Sequence, residues 1–192
     1  MKLEPLKPSL FYHFYNRGNN KENIFIKDDN YVYFLSLIKK HIIPIAEIYS
    51  YCLLPNHFHL IIKIKDENLL SDKQKNKIYQ PFSNLFNAYT KAFNKKYNRT
   101  GSLFQKHPKR IIIDSDEYLK NLIIYVNTNS SHHSIADYNT YKHSSFQALI
   151  SSIPTLLKRD DVIELFDSVE NFKYILEFKK QNLETIIDLL FE

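Results

Sequence analysis

The chain has 192 residues, 44% of them hydrophobic, which is enough for one domain with a proper core. Its single cysteine, Cys52, excludes an intramolecular disulfide and suits a reducing compartment. No run approaches the roughly 18 apolar residues of a membrane span, and Met1 to Pro8 lacks a signal-peptide core. The expected protein is therefore cytoplasmic, in a prokaryotic cytosol or nucleoid, with no membrane partner.

In chain order, residues 10–16 read as a first strand, with Arg17-Gly18-Asn19-Asn20 as its turn. Asp28-Asp29-Asn30 caps a helix carrying Tyr31, Phe34, Leu35 and Ile38, which ends before Pro44. Residues 45–54 and 57–65 are two adjacent strands joined at Leu54-Pro55-Asn56. A polar stretch then leads to a helix over 82–97, whose Phe82, Phe86, Tyr89 and Phe93 have core spacing. Residues 98–102 form a loop and 109–113 a last strand. Asp114-Ser115-Asp116-Glu117 opens a further helix that runs to about Asn129. This β-α-β-β-α-β-α order predicts an α+β fold, a split βαβ antiparallel sheet with helices on one face. After Ser151 the pattern changes to short, acidic amphipathic helices over 156–166 and 169–178. The chain thus divides into a main domain, 1–150, and a helical appendage, 151–192. That appendage either completes the core or shields the basic face.

The formal net charge of +5 conceals an asymmetry. Between Lys73 and Arg110 lie ten basic residues and no acid, leaving 16 basic against 21 acidic residues elsewhere. Such a block is either a solvated lysine-rich surface or a face for a polyanion, and interleaved aromatics favour single-stranded nucleic acid. Tyr97 and Phe104 stand outside the core stripe and are the better stacking rings.

His57-Phe58-His59 is the most informative segment. Side chains alternate across a strand, so the two imidazoles share a face while Phe58 points away. The pair is either the polar side of a half-buried strand or half of a divalent-metal site. Tyr125 and Asn129, one turn apart, share a face of the late helix, which can lie across this central strand. An Asn129 carbonyl oxygen then completes the metal shell beside His57 and His59, and the Tyr125 hydroxyl reaches a phosphate held there. Attack by a tyrosine oxygen on a metal-bound phosphodiester gives a phosphotyrosine and a free 3′ hydroxyl. His133 is a rival ligand and Tyr118 a rival nucleophile. His13 reads as a strand residue facing the helices.

With these residues in place, the chain resembles the HUH (His-hydrophobic-His) single-tyrosine transposases, above all the REP-associated tyrosine transposases. The resemblance spans residues 10–147 in order. It runs through Tyr12-His13-Phe14-Tyr15-Asn16-Arg17-Gly18, Leu54-Pro55-Asn56-His57-Phe58-His59-Leu60 and Tyr97-Asn98-Arg99-Thr100-Gly101-Ser102-Leu103-Phe104-Gln105. It continues through Tyr125-Val126-Asn127-Thr128-Asn129 to Tyr141-Lys142-His143-Ser144-Ser145-Phe146. It implies a ferredoxin-like fold, Mg2+ or Mn2+ as cofactor, single-stranded or hairpin DNA as partner, and a 5′-phosphotyrosine intermediate. By position, Tyr125 matches the nucleophile, and His57, His59 and Asn129 match the metal ligands. Arg17, Asn19, Arg99, Phe104 and Gln105 fall in segments that lie near DNA in relatives, and Lys95, Lys96, Lys109 and Arg110 join them from the basic block. Relatives include monomers and homodimers that exchange the tyrosine helix. One departure stands out: Asn129-Ser130-Ser131-His132-His133 replaces the usual Asn-Pro and small residues, so this helix must end differently. A domesticated hairpin-binding protein without cleavage is the competing reading, and RNA binding a third.

Overall fold

In the computed structural model, which describes residues 4–180, alternation along the strands sets the layering. β1 (Phe11–Arg17), β2 (Ala46–Leu54), β3 (His57–Ile64) and β4 (Lys109–Ile113) form one antiparallel sheet in the order β2-β3-β1-β4. β3 lies between β1 and β2, which is the split βαβ arrangement. The helices are α1 (Asp28–Leu37), α2 (Asp72–Asn76), α3 (Gln80–Lys96), α4 (Asp116–His132), α5 (Phe146–Ile150), α6 (Arg159–Leu165) and α7 (Val169–Lys180). None among the described residues is long and apolar enough to cross a membrane.

The even side of β1 and β3 is aromatic and aliphatic. Tyr12, Phe14, Phe58, Leu60 and Ile62 bury against Phe34 and Leu37 of α1 and Phe82, Leu85 and Tyr89 of α3. The odd side of β3 carries Ile61 beside the two histidines, and it buries against Leu122, Ile123 and Val126 of α4. Helices therefore cover both faces. The single-face arrangement holds for α1 and α3, and α4 takes the opposite face because Ile61, Cys52 and Leu54 supply a second apolar surface there. A β-bulge between Ile48 and Ser50 shifts the alternation of β2 by one, so that Ala46 and Ile48 before it and Leu53 after it all face the first core.

Val162 and Phe166 of the α6 region and Phe172 and Leu176 of α7 are buried in that second core with α4. This part of the 151–192 segment is packed structure; residues 181–192 lie outside the described residues.

Ser115 caps α4, its Oγ accepting from the Tyr118 N–H at 3.2 Å. The helix does not stop at Asn129 but runs on to His132. Its end explains why. Ser134 adopts φ 53°, Ile135 N–H donates to the Ser130 carbonyl at 2.9 Å, and Ser134 N–H to that of Ser131 at 3.0 Å. This is a Schellman end with serine where glycine is favoured. Relieving the left-handed strain outweighs glycine's extra chain entropy, so Ser134→Gly should stabilise the protein by about 0.5–1 kcal/mol, read as a higher urea midpoint. A lower midpoint would contradict the assignment. The added turn carries His132 and His133 over the sheet.

Candidate functional site

Three backbone clamps shape the site. Gly18 N–H donates to the Asn56 carbonyl at 2.8 Å, Asn19 N–H to that of Leu103 at 3.0 Å, and Gln105 N–H to that of Arg17 at 2.9 Å. They tie the end of β1 to the β2–β3 turn and to the 99–105 loop. A Cβ on Gly18 would collide with the Glu22 carbonyl, so only glycine permits this approach.

On the α4 side these segments enclose a cleft of about 540 Å³, lined by residues that include Tyr15, Arg17, Asn56, His57, His59, Gln105, Lys109, Tyr125 and His133. Antiparallel register sets Tyr15 opposite His59 and Arg17 opposite His57. The His57 and His59 rings are 5.2 Å apart at 83°. The Tyr125 ring lies 5.6 Å from that of His59, edge-on at 89°. Phenol and imidazoles thus meet within one chain.

Hydrogen bonds fix the imidazoles. The Asn56 Oδ1 lies 2.6 Å from His57 Nδ1, so that nitrogen donates and Nε2 keeps its lone pair. His59 Nδ1 lies 2.8 Å from His13 Nε2, with both rings buried. Burial pushes His57 down to about 4, helped by the positive charge of Arg17 and by His133, and it holds His59 well below the ordinary histidine value. Both are therefore neutral near pH 7, the form that binds a cation.

Asn129 is 0% exposed, and neither its Oδ1 nor its Nδ2 completes a hydrogen bond. It lies close enough to His57 to raise its proton affinity and to Tyr125 to lower its pKa. Burial works more strongly on Tyr125 and leaves its hydroxyl above the usual tyrosine value. A cation on its oxygen would give this buried carboxamide a full partner. Among the described residues no three His, Cys, Asp or Glu side chains converge as a metal site. Two imidazoles and an amide oxygen would make a mixed nitrogen–oxygen donor set, which fits Mn2+ better than the harder Mg2+.

Of the residues singled out from sequence, His57, His59, Tyr125, Arg17, Gln105 and Lys109 line the cleft, with Asn129 buried behind it. The His133 ring is 4.8 Å from that of His57, while Tyr118 lies outside the lining. The other residues brace the scaffold. Asn19 Nδ2 donates to the Ser102 carbonyl at 3.0 Å, and Arg99 pairs with Glu22 at 2.7 Å. Lys96 pairs with Asp29, Lys95 is exposed beyond the cleft at the end of α3, and Arg110 donates to the Glu4 carbonyl beneath Tyr79. The stacking candidates are engaged too: Phe104 is 5% exposed in the first core, and the Tyr97 hydroxyl donates to Asn30. Phe104 does border a neighbouring cleft of about 530 Å³ with Tyr79, Phe86, Asn87 and Lys91, which shares Asn16 and Gln105 with the first.

Tyr15 and Asn56 enter the site without having been singled out, and His13, expected as a strand residue facing the helices, stands beside His59. For Tyr15 and His13 the signal was alternation along β1: His13, Tyr15 and Arg17 share one face, and that strand neighbours the histidine strand in a split βαβ sheet.

No protein-family model and no curated protein matches the sequence. Among solved structures, the fold is similar to that of a REP-associated tyrosine transposase bound to a REP hairpin, with a TM-score of 0.57 and 14% identity over 84% of this chain and 92% of that one.

Proposed function

We propose that the chain is a divalent-metal-dependent enzyme that cuts and rejoins single-stranded DNA beside hairpins, with Tyr125 as nucleophile. The observation that carries this reading is the Tyr125 ring 5.6 Å from His59, with the buried Asn129 amide acting on both Tyr125 and His57. The hairpin in the similar structure supports the choice of DNA.

His57 and His59, through Nε2, and Asn129, through Oδ1, would hold the cation. When bound, Mg2+ or Mn2+ polarises a phosphoryl oxygen and offsets the charge that repels an incoming oxyanion. Arg17 and Lys109 hold the strand at the cleft mouth. The Tyr125 oxygen attacks phosphorus, the phosphorus–O3′ bond breaks, and the 5′ phosphate stays on tyrosine. The phenolic proton leaves to solvent as the departing 3′ oxygen gains one, so each product carries its ordinary proton count. Bond energy is kept in the phosphotyrosine, and a 3′ hydroxyl can reverse the step and rejoin DNA. Tyr125 meets the histidines of its own chain, so this chemistry needs no exchange of helices in a homodimer.

Incubation with hairpin oligonucleotides and Mn2+, followed by mass spectrometry, tests the reading. The expected product is a DNA ester on the Tyr125 peptide. Tyr125 is 7% exposed and its hydroxyl is raised by burial, which favours a second reading: a hairpin-binding protein without cleavage. Tight binding without an ester would select it, and equal affinity for RNA hairpins would redirect the substrate class.

Lys109 is exposed at the cleft, 5.9 Å over the Tyr15 ring. Lys109→Ala should weaken binding of all hairpin sequences alike and reduce the slope of log affinity against log salt by about 1. An unchanged slope would remove Lys109 from the DNA path.

A further inference from the structure

A neutral imidazole has one donor and one acceptor nitrogen, so two that touch must share a single proton between them. His13 Nε2 and His59 Nδ1 are 2.8 Å apart, and the two residues are 1% and 5% exposed. Tyr15 stacks on both rings, at 4.7 Å from His13 and 5.4 Å from His59. Tyr125 presents itself edge-on to both, at 6.4 Å and 5.6 Å. The pair is thus enclosed between two aromatic rings, where solvent cannot readily replace either partner. With Nδ1 consumed, Nε2 is the His59 nitrogen left for the cleft that this residue lines. Neighbouring His57 already shows the matching pattern, with Nδ1 donating to Asn56.

We propose that His13 is a positioning residue: its Nε2 accepts the Nδ1–H of His59 and holds that ring in the tautomer whose Nε2 lone pair faces the cleft. In the opposite arrangement His59 would carry its proton on Nε2 and could not bind a cation without first exchanging it. A partner on the far nitrogen also orients the ring and raises its basicity, a role usually played by a carboxylate or a carbonyl. Here a second imidazole plays it, supplied by the adjacent strand. His13 touches neither DNA nor cation; it acts through His59. The proton-sharing contact stands within the chain, whereas its consequence for the cation rests on the function proposed above.

Long-range proton–nitrogen NMR of the metal-free protein reads the tautomer directly. Wild type should show His59 protonated at Nδ1, and His13→Leu should shift proton density toward Nε2. Mn2+ affinity, followed by paramagnetic resonance, should fall about ten- to a hundredfold in His13→Leu. His13→Gln offers an Oε1 that accepts the same N–H and should stay within about threefold of wild type. A His59 proton on Nε2 in wild type would overturn the proposal, as would a Leu variant with unchanged tautomer and affinity. If the Leu variant does not fold, the wild-type spectrum and the Gln variant decide. If His59 carries its proton on Nδ1 but wild type takes up no Mn2+, the metal reading fails while the tautomer assignment survives.

Discussion

Tyr125→Phe should abolish the covalent protein–DNA ester, by at least about a thousandfold, while hairpin affinity changes by less than about threefold. The substitution removes one oxygen and keeps the ring, which is buried in the second core and lies against His13, His59 and His132. Folding and the DNA surface are therefore preserved, and what disappears is the only atom able to form the ester at that position. Because burial raises the Tyr125 hydroxyl, the wild-type reaction should also quicken as pH climbs from 7 toward 9 and the phenolate becomes easier to reach. Peptide mapping of any residual ester separates the alternatives. An ester on Tyr118 would require α4 to move, since that residue does not line the cleft, whereas one on Tyr15 would need no movement. Wild-type levels of ester in Tyr125→Phe would remove Tyr125 from the mechanism.

Much of this site was legible because its residues sit on regular elements. His57 and His59 share a face by strand alternation, and Tyr125 and Asn129 share one by helical spacing, so each half can be read locally. Their meeting needed only the neighbourhood of β3 and α4, which the order of elements implies. Register was not legible. That Tyr15 stands opposite His59 depends on where β1 and β3 begin to pair, a matter settled by the Gly18–Asn56 clamp and the packing of Phe14 and Phe58. Which cations of the basic block stay free was not legible for a related reason. Charge along the chain shows how many cations there are but not which acid each one faces, and Glu22, Asp29 and the Glu4 carbonyl engage Arg99, Lys96 and Arg110. The end of α4 was missed because a serine, not a glycine, takes the left-handed position.

The same buried histidines should make the metal-free protein acid-labile above the range where carboxylates titrate. Burial lowers His13 to about 3, against an ordinary value of 6.5. His59 is displaced in the same direction, and His57 and His132 each come down to about 4, with more solvent around them. The unfolded chain therefore binds these protons first. The stability contributed by keeping the rings neutral is full above pH 6.5 and is lost progressively as pH falls toward the folded-state values. At about 1.4 kcal/mol per pH unit and per proton, His13 alone costs roughly 2 kcal/mol between pH 6.5 and pH 5. His59 deepens the loss, against a total stability of only about 5–15 kcal/mol for a typical domain. Urea midpoints at pH 7, 6 and 5 in EDTA should fall steadily. His13→Gln removes one titrating ring and should flatten the decline by about one proton's worth. Midpoints that stay level from pH 7 to 5 would mean that water already reaches these rings in the folded state, and the enclosure on which His59 depends would have to be abandoned.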